Sequence, residues 1–371
     1  MKSIGPGLAV YITDYSADPA ELLRDLAASL IDLKVSQQLP VLAVRRGWLH
    51  GSHLQVVARG YAGAHTERVA EQLDNFAELA GRQAVAGARA ETVAPTEADY
   101  LSRAEQLARW ENTEPPFLPL YPQGAVRVER LGVPDGWPAQ LMQVRDQITS
   151  RYLELVLRTA ELPQPERLPV LMQVMAALAR THPRGIGDGT LPYRSHVEGV
   201  ASATGGHADV RSVYAARFAA DQDRFRSALL DPVTDPLIVG WREAFCYAWG
   251  VAEGVVATGA VDDEGLADAA GRRPVEPMGP LARSEFFAEM LRTGLVQDPP
   301  YQHVAYRIVL NTLYSTLSCF GISPLQRYYL CYGLAEAADR HLGEDANSRV
   351  RRIAAGRARL HAAPDPVSAT A

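Results

Sequence analysis

The sequence has few cysteines, no surplus of basic residues and no long apolar run free of charge. Its three cysteines, Cys246, Cys319 and Cys331, form neither a C-x-x-C pair nor a zinc-like spacing, which favours buried thiols in a reducing compartment. A formal net charge of −6 lacks the basic excess that is typical of nucleic-acid-binding proteins. The most apolar stretch, 236–259, carries three charged residues, which a membrane span of about 20 residues rarely tolerates.

We expect no secretory signal, because residues 1–7 contain a Gly-Pro-Gly turn and no long apolar region follows them. We therefore expect a cytoplasmic protein with no membrane and no nucleic-acid partner. With 371 residues, of which 47% are hydrophobic, the chain has enough apolar material for a core and a length typical of two or three domains.

Signatures of common cofactors are missing as well. The segment 185–189 is rich in glycine but follows no predicted strand and contains no lysine, so we interpret it as a flexible loop. His50 and His53 have H-x-x-H spacing, yet no Cys, Asp or Glu lies near either in sequence, which favours ordinary hydrogen-bonded histidines. Neither G-x-S-x-G nor H-E-x-x-H occurs. We expect no metal and no cofactor.

The order of elements predicts an α+β fold, in which a mixed α/β sheet region precedes a mostly helical half. Strands are expected at 8–12, 41–44 and 53–58, and helices after Asp18 and from Thr66. The proline-punctuated stretch 92–137 is interpreted as connecting segments with at most one strand, at 125–129. Seven further helices are predicted at 140–160, 167–180, 208–230, 236–259, 280–292, 301–319 and 324–342.

The same pattern predicts the domain organisation. We expect a sheet region over 1–137 and a mostly helical region over 138–361 that packs on it to form one active-site cleft. The Ala/Pro/Ser/Thr-rich tail, 362–371, is expected to be disordered.

Side chains suited to proton transfer concentrate in Tyr193, Arg194, Ser195, His196 and Glu198. In a helix, Arg194 and Glu198 lie on one face. Ser195 and Glu198 also fit a capping box, a purely structural interpretation that we weigh equally. In the functional interpretation, Tyr193 and His196 give and accept protons near neutral pH.

A second polar concentration lies on the helix predicted at 301–319. Arg307, Asn311, Tyr314 and Ser318 recur at helical spacing and form a polar face whose only charge is that of Arg307. A solvated face would normally carry Lys and Glu, so this face indicates either a polar cavity or hydrogen bonds between helices.

Two other groups favour structural roles. The aromatic residues of the apolar stretch are more typical of a core than of a cofactor site: Trp241, Phe245, Tyr247 and Trp249. The basic run near the C-terminus is most simply a solvated helix end, with docking of an acidic peptide as the alternative: Arg349, Arg351, Arg352, Arg357 and Arg359.

Segments at both ends of the chain together form a pattern that is similar to that of a known protein family. A strand at 8–12, the helix after Asp18, and segments 41–46 and 51–60 open the chain, and Asn311 is followed by Gly321-Ile322-Ser323. This resembles the elimination domain of lantibiotic dehydratases and the related thiopeptide-type bacteriocin biosynthesis proteins. There, a strand and helix precede a G-P-H-L-R-x-R-like strand, and an N-R-x-x-G-(I/L) region closes the domain. The resemblance implies an elimination-domain-like fold.

Departures from that pattern bear on the activity. Glutamate-eliminating members carry arginines after His-Leu, which would hold the glutamyl carboxylate, but Gln55 and Val57 stand here. They also carry a histidine one turn before the late Asn, where this chain has Arg307. Without clamping arginines, a γ-glutamyl ester should bind poorly. With its Tyr193–Glu198 segment, the chain is more similar to the thiopeptide pyridine synthases.

That resemblance implies a cofactor-independent cyclase of the lyase type, acting on a modified precursor peptide that carries a leader. It would join two dehydroalanines by formal aza-cycloaddition, with loss of water and leader, to form a pyridine-centred macrocycle in antibiotic biosynthesis. The alternatives are a split glutamate-elimination enzyme that forms dehydroalanine and a catalytically silent peptide-binding partner. The oligomeric state stays open.

The expected site has two walls. Tyr193, Ser195 and His196, with Glu198 orienting the imidazole, form one, and Arg194 is a candidate for binding substrate. The other wall is expected to contain Tyr306, Asn311, Tyr314 and Ser318, with Arg307 anchoring a peptide carbonyl. Gln55 and Trp48 are weaker substrate-binding candidates, and an acidic leader is expected to dock near Arg349, Arg351 and Arg352.

Overall fold

The computed structural model describes residues 4–87, 94–111, 114–132, 138–203, 210–261, 265–266, 284–296 and 299–362. Their first elements are β1 (Ile4–Thr13), α1 (Ala20–Ser36), β2 (Val41–Gly47), β3 (His53–Tyr61), α2 (Ala64–Ala86), α3 (Glu97–Glu111), β4 (Val126–Leu131) and α4 (Ala139–Glu161). Those that follow are α5 (Gln164–Thr181), α6 (Ile186–Gly189), α7 (Leu191–Ala203), α8 (Val210–Leu230), α9 (Pro236–Ala257), α10 (Glu285–Arg292), α11 (Tyr301–Leu317), α12 (Pro324–Leu342) and α13 (Ala346–Ala362). The predicted disordered tail lies outside the described residues from 363 onward.

The four strands form one antiparallel sheet in the order β2-β3-β1-β4. Alternation along β1 places Leu8, Val10 and Ile12 on one face, and all three are buried. Helix α2 packs against β1, β3 and β4, and α1 packs against α2. Helix α1 buries a stripe of leucines that recur at helical spacing: Leu22, Leu26, Leu30 and Leu33.

The edge strand β2 is covered by helix α4. The Leu42 amide donates to the Ser150 hydroxyl at 3.0 Å, which satisfies a backbone group that an edge strand would otherwise leave unpaired. Helix α9 packs on α4, and its Trp241 and Phe245 side chains are fully buried beside Tyr152. The core role predicted for these two aromatics is confirmed, but Tyr247 is 41% exposed.

The chain divides into two compact units, which are described separately below. Unit 1 comprises Met1–Leu171, Thr234–Pro274 and Val304–Ser323, and therefore contains the sheet, α1–α4, α9 and most of α11. Unit 2 comprises Met172–Val233, Val275–His303 and Pro324–Ala371, and its described elements are helical, including α7, α8, α12 and α13.

The α+β class, the sheet-first order and the long helices were predicted correctly. The stretch interpreted as connections was wrong for 97–111, which form α3. The Asp99 amide donates to the Thr96 hydroxyl at 3.2 Å, so a T-x-x-D start was present in the sequence and was overlooked. The predicted burial of all three thiols fails at Cys246, which is exposed.

The flexible loop expected at 185–189 is also wrong. Residues Ile186–Gly189 form one helical turn whose glycines are buried. A Cβ added at Gly189 would lie 2.2 Å from the carbonyl oxygen of Ala179, so only glycine permits this close approach.

In the part of the chain that the structure describes, no helix combines the length and the apolarity needed to cross a bilayer.

Candidate functional site

The polar segment after the glycine turn lies on α7 in unit 2. Helix α7 begins at Leu191, so Ser195 lies inside the helix and the capping-box interpretation is wrong. Tyr193 is fully buried, and its hydroxyl donates to the carbonyl oxygen of Met175 on α5 at 2.7 Å. This bond ties α7 to α5 and commits the phenolic hydrogen to the protein interior.

The charged residues of α7 are held by other helices of unit 2. Arg194 donates to Glu336 at 2.7 Å and to Asp339 at 2.8 Å, both on α12. Burial lowers the pKa of Arg194, but these two carboxylates outweigh it and raise the pKa above its usual value. The guanidinium therefore stays charged and serves as a cross-link between α7 and α12.

Glu198 is buried and has two described partners. It accepts a hydrogen bond from the Ser284 hydroxyl at 2.7 Å and forms an ion pair with Arg211. Its carboxylate is thus occupied by α8 and by the residue that precedes α10, rather than by a described bond to His196. Ser195, His196 and the paired Arg194 are half-buried, so solvent partly reaches these three predicted side chains of α7.

The basic run near the C-terminus differs from a uniformly solvated helix end. Arg349 is fully buried, pairs with Asp339 and donates to the carbonyl oxygen of Glu344 at 3.0 Å. Arg351 and Arg352 are about half exposed, and they face Glu289 at 3.5 Å and Glu344 at 3.3 Å. Arg349 therefore cannot belong to a docking surface, which leaves only Arg351 and Arg352 of the three predicted residues.

The second predicted wall lies on α11 in unit 1. Tyr306 is fully buried, with its ring centroid 6.0 Å from that of Trp249. Tyr314 is 7% exposed, while Arg307 and Asn311 are half-buried. Ser318 lies beyond the end of α11, in a 3-10 turn, and is exposed.

The two N-terminal candidates lie on and beside the sheet of unit 1. Gln55 of β3 donates from Nε2 to the Tyr11 hydroxyl at 3.1 Å. Trp48 lies in the β2–β3 connection, with its ring centroid 5.9 Å from that of Phe117. The structure thus places Gln55, Trp48 and the α11 residues in unit 1, and the α7 residues in unit 2.

The two histidines of the H-x-x-H motif differ in their hydrogen bonding. His53 is buried, its Nδ1 lies 2.9 Å from the Gly51 carbonyl oxygen, and burial lowers its pKa to about 4. The His50 ring meets that of Tyr121 at 5.7 Å, but its buried Nδ1 has no hydrogen-bond partner among the described residues, so the hydrogen-bonded role predicted for His50 is wrong. Within the described ranges, no three His, Cys, Asp or Glu side chains cluster closely enough to hold a metal ion.

Sequence reasoning missed a buried ion cluster centred on Asp146 of α4. Its carboxylate is fully buried and receives Arg45 of β2 and Arg59 of β3, the latter from Nε at 2.7 Å. The available signal was an aspartate in an apolar stripe of α4, since Met142, Thr149 and Leu153 on the same face are buried too.

Other arginines of unit 1 are also paired with carboxylates of the chain. Arg46 donates to Asp14 at 2.8 Å, and Arg167 forms a two-pronged pair with Asp18. Burial raises the pKa of Asp18, but hydrogen bonds from Arg167 outweigh it and bring the pKa to about 2. These guanidinium groups are therefore engaged inside the protein.

Comparison with solved structures now defines the class of fold. The chain shares its α+β fold with two solved structures along nearly its whole length. "Pyridine synthase, TbtD, from thiomuracin biosynthesis" matches with a TM-score of 0.67 and 17% identity, over 91% of this chain and 99% of that chain. TsrL matches with a TM-score of 0.59 and 15% identity, over 95% and 98% of the two chains.

A weaker match is the tRNA-dependent lantibiotic dehydratase MibB from Microbispora sp. 107891. It has a TM-score of 0.43 and 16% identity, over 91% of this chain and 28% of that chain. No family model and no curated protein sequence matches this chain.

Proposed function

We propose that this protein is a pyridine synthase that acts on a modified precursor peptide in thiopeptide biosynthesis. The observation that carries the proposal is the fold shared with TbtD over 91% of this chain and 99% of that one. A match along nearly the whole of both chains supports the same arrangement of elements. The TM-score of 0.67 supports the fold, and the assay below tests the reaction.

The proposed reaction joins two dehydroalanines of one peptide by formal aza-cycloaddition, and loss of water and then of the leader gives the pyridine. Bringing two distant alkenes together is an entropic problem, so a site that holds both at near-attack distance contributes several kcal/mol. One amide must react as its iminol tautomer, which needs a donor to its oxygen and an acceptor for its N–H. Such a substrate is uncharged at the reacting atoms.

The chemistry of the sheet supports a neutral substrate over a γ-glutamyl ester. Gln55 and Val57 stand where the glutamate-eliminating relatives are expected to carry arginines. Arg45 and Arg59, the arginines nearest to them along the sheet face, already bind the Asp146 carboxylate. A glutamyl carboxylate would have to displace that internal carboxylate to gain a two-guanidinium clamp.

The side chains proposed to act on substrate are those that solvent partly reaches. On α7 these are Ser195 and His196, with His196 as the proton-transfer group. Arg194 is half-buried too, but its guanidinium is already paired with Glu336 and Asp339. On α11 they are Asn311 and Arg307, which we assign to peptide carbonyls. Tyr193, Tyr306 and Glu198 are assigned to holding these helices, since they are buried and Tyr193 and Glu198 bond within the protein.

Mass spectrometry of a synthetic leader-bearing peptide with two dehydroalanines tests this proposal. We expect the intact protein to release the leader and to yield a cyclic product that has also lost water. His196→Asn should lower turnover at least tenfold, while peptide binding stays nearly unchanged. The matched control is His341→Asn, an exposed histidine at the end of α12, which should retain full turnover.

The alternatives are separate outcomes of the same assay. A glutamate-elimination enzyme would release glutamate from a glutamylated peptide and leave the dehydroalanine pair unchanged. A peptide-binding partner would bind the leader tightly with no change in mass. Either result would overturn the proposed reaction.

A further inference from the structure

One row of side chains crosses all four strands of the sheet on a single face. In the register of the sheet, Arg45 of β2 faces Gln55 of β3, Gln55 faces Tyr11 of β1, and Tyr11 faces Arg127 of β4. Because side chains alternate along strands, these four directly opposed residues project from the same face. We call Arg45, Gln55, Tyr11 and Arg127 the donor row.

In the donor row, the Tyr11 hydroxyl accepts a hydrogen bond, and its own hydrogen remains available to a ligand. Gln55 Nε2 donates to this hydroxyl at 3.1 Å, and none of the described residues accepts a hydrogen bond from it. Burial and then Glu129 raise the pKa of Tyr11, so the phenol is protonated and remains a donor at neutral pH. The row therefore offers an unused O–H.

The Tyr11 ring is fixed on several sides, which holds that hydroxyl in place. The Arg127 guanidinium carbon lies 4.8 Å from the ring centroid, and the ring of His53 meets it edge-on at 5.4 Å. Beneath it, the ring packs against the small buried cluster Ala9, Ala43 and Val57. A half-buried donor held in this way loses little conformational entropy when a ligand binds.

The charges around the row select the kind of acceptor. Arg127 pairs with Glu129 at 2.7 Å, and Arg45 pairs with Asp146, so each guanidinium already has a carboxylate. Arg45 Nε, in a side chain that is 7% exposed, nevertheless has no hydrogen-bond partner among the described residues. Donors without acceptors, beside charges that are already neutralised, fit an uncharged oxygen better than an anion.

We propose that the Tyr11 hydroxyl, polarised by Gln55, donates a hydrogen bond to an uncharged amide oxygen of a bound peptide. The proposal rests on the proposed function for the peptide, and it assigns Tyr11 as the binding residue and Gln55 and Arg127 as positioning residues. In a substrate whose amide must become an iminol, a donor to this oxygen stabilises the tautomer that reacts.

Carbon-13 NMR of the full-length protein with ζ-carbon-labelled tyrosine tests the assignment directly. The Tyr11→Phe variant identifies the Tyr11 signal by its loss. Titration with N-acetyl-dehydroalanine methylamide, a neutral amide, should shift this signal, whereas sodium glutamate should leave it unchanged. Gln55→Leu should weaken the amide affinity about three- to tenfold, since it removes the hydrogen bond that polarises the hydroxyl.

The control is Tyr61→Phe, the same chemical change at the far end of β3, which should leave the Tyr11 shift intact. If the amide reaches its solubility limit without moving the Tyr11 signal, or if glutamate moves it instead, the proposal is overturned. Turnover is measured separately on the dehydroalanine peptide. An amide-dependent Tyr11 shift without turnover would support this site while overturning the proposed reaction, so the two failures are distinguishable.

Discussion

Arg59 donates from Nε to the Asp146 carboxylate at 2.7 Å, across 87 residues of sequence, and Asp146 is fully buried. With Arg45 on the other carboxylate oxygen, the cluster ties β2 and β3 to helix α4. Two guanidinium groups share one carboxylate, so the cluster depends on Asp146 more than on either arginine. The same contact keeps both arginines away from an acidic ligand.

Replacement of Asp146 by alanine should therefore destabilise the protein strongly. Two buried cations would lose their shared counter-ion, and we expect the free energy of unfolding to fall by about 3–5 kcal/mol, measured by urea denaturation. Asp146→Asn should cost less, because the amide keeps the shape and one acceptor oxygen. Asp32→Asn, an exposed change on α1, should stay within about 0.5 kcal/mol, and an equally small effect at Asp146 would contradict the cluster.

A pair of glycine variants tests the packing around α7. Gly189→Ala places a methyl group 2.2 Å from a backbone oxygen of Ala179, which cannot rotate away, so we expect a loss of about 1–3 kcal/mol. Gly199→Ala, inside α7 with open space around it, should instead raise the free energy of unfolding by about 0.5–1 kcal/mol. Thermal unfolding measures both changes. If the two variants change the free energy of unfolding in opposite directions, the described packing is supported, and changes in the same direction would refute it.

His53 should make stability depend on pH. Its pKa in the folded protein is lowered to about 4 by burial, against an ordinary value of 6.5, so the folded state binds a proton less readily than the unfolded one. The contribution of neutral His53 to the free energy of unfolding is complete above pH 6.5 and is lost as the pH falls through 6.5 toward 4. His53→Asn should reduce this slope in unfolding measurements between these limits, whereas His341→Asn should leave it unaltered.

Tyr193→Phe separates a structural phenol from a catalytic one. Loss of the hydrogen bond to the Met175 carbonyl should lower the free energy of unfolding by about 1 kcal/mol, while kcat of the folded fraction stays close to that of the unmodified protein. Both quantities are measured on one preparation. A collapse of kcat with unchanged stability would restore the catalytic role that the sequence suggested.

Local patterns were sufficient for much of the fold. The strand predicted at 53–58 and the helices predicted after Asp18 and at 324–342 each correspond to an element that the structure contains. Helix α3 was not predicted, because the nearby prolines indicated connecting segments and the Thr96–Asp99 helix start was overlooked. The glycines at 185–189 suggested flexibility. Gly189 instead allows close packing, because any Cβ there would clash with the carbonyl oxygen of Ala179.

The site was less predictable because its defining contacts are distant in sequence. The partners of Tyr193 and Arg194 lie on α5 and α12, 18 and 142 residues away for Met175 and Glu336. Periodicity placed these residues on helices but carried no information on which side chains would pair. The donor row likewise depends on strand register, which sets Tyr11 beside Gln55 across 44 residues.

The most direct measurement offers the protein two peptides with the same leader in one reaction, one with two dehydroalanines and one with a glutamylated serine. Time-resolved mass spectrometry follows both. The account predicts loss of water and leader from the first peptide alone, with no free glutamate. Release of glutamate from the second peptide, with the dehydroalanine pair intact, would contradict it.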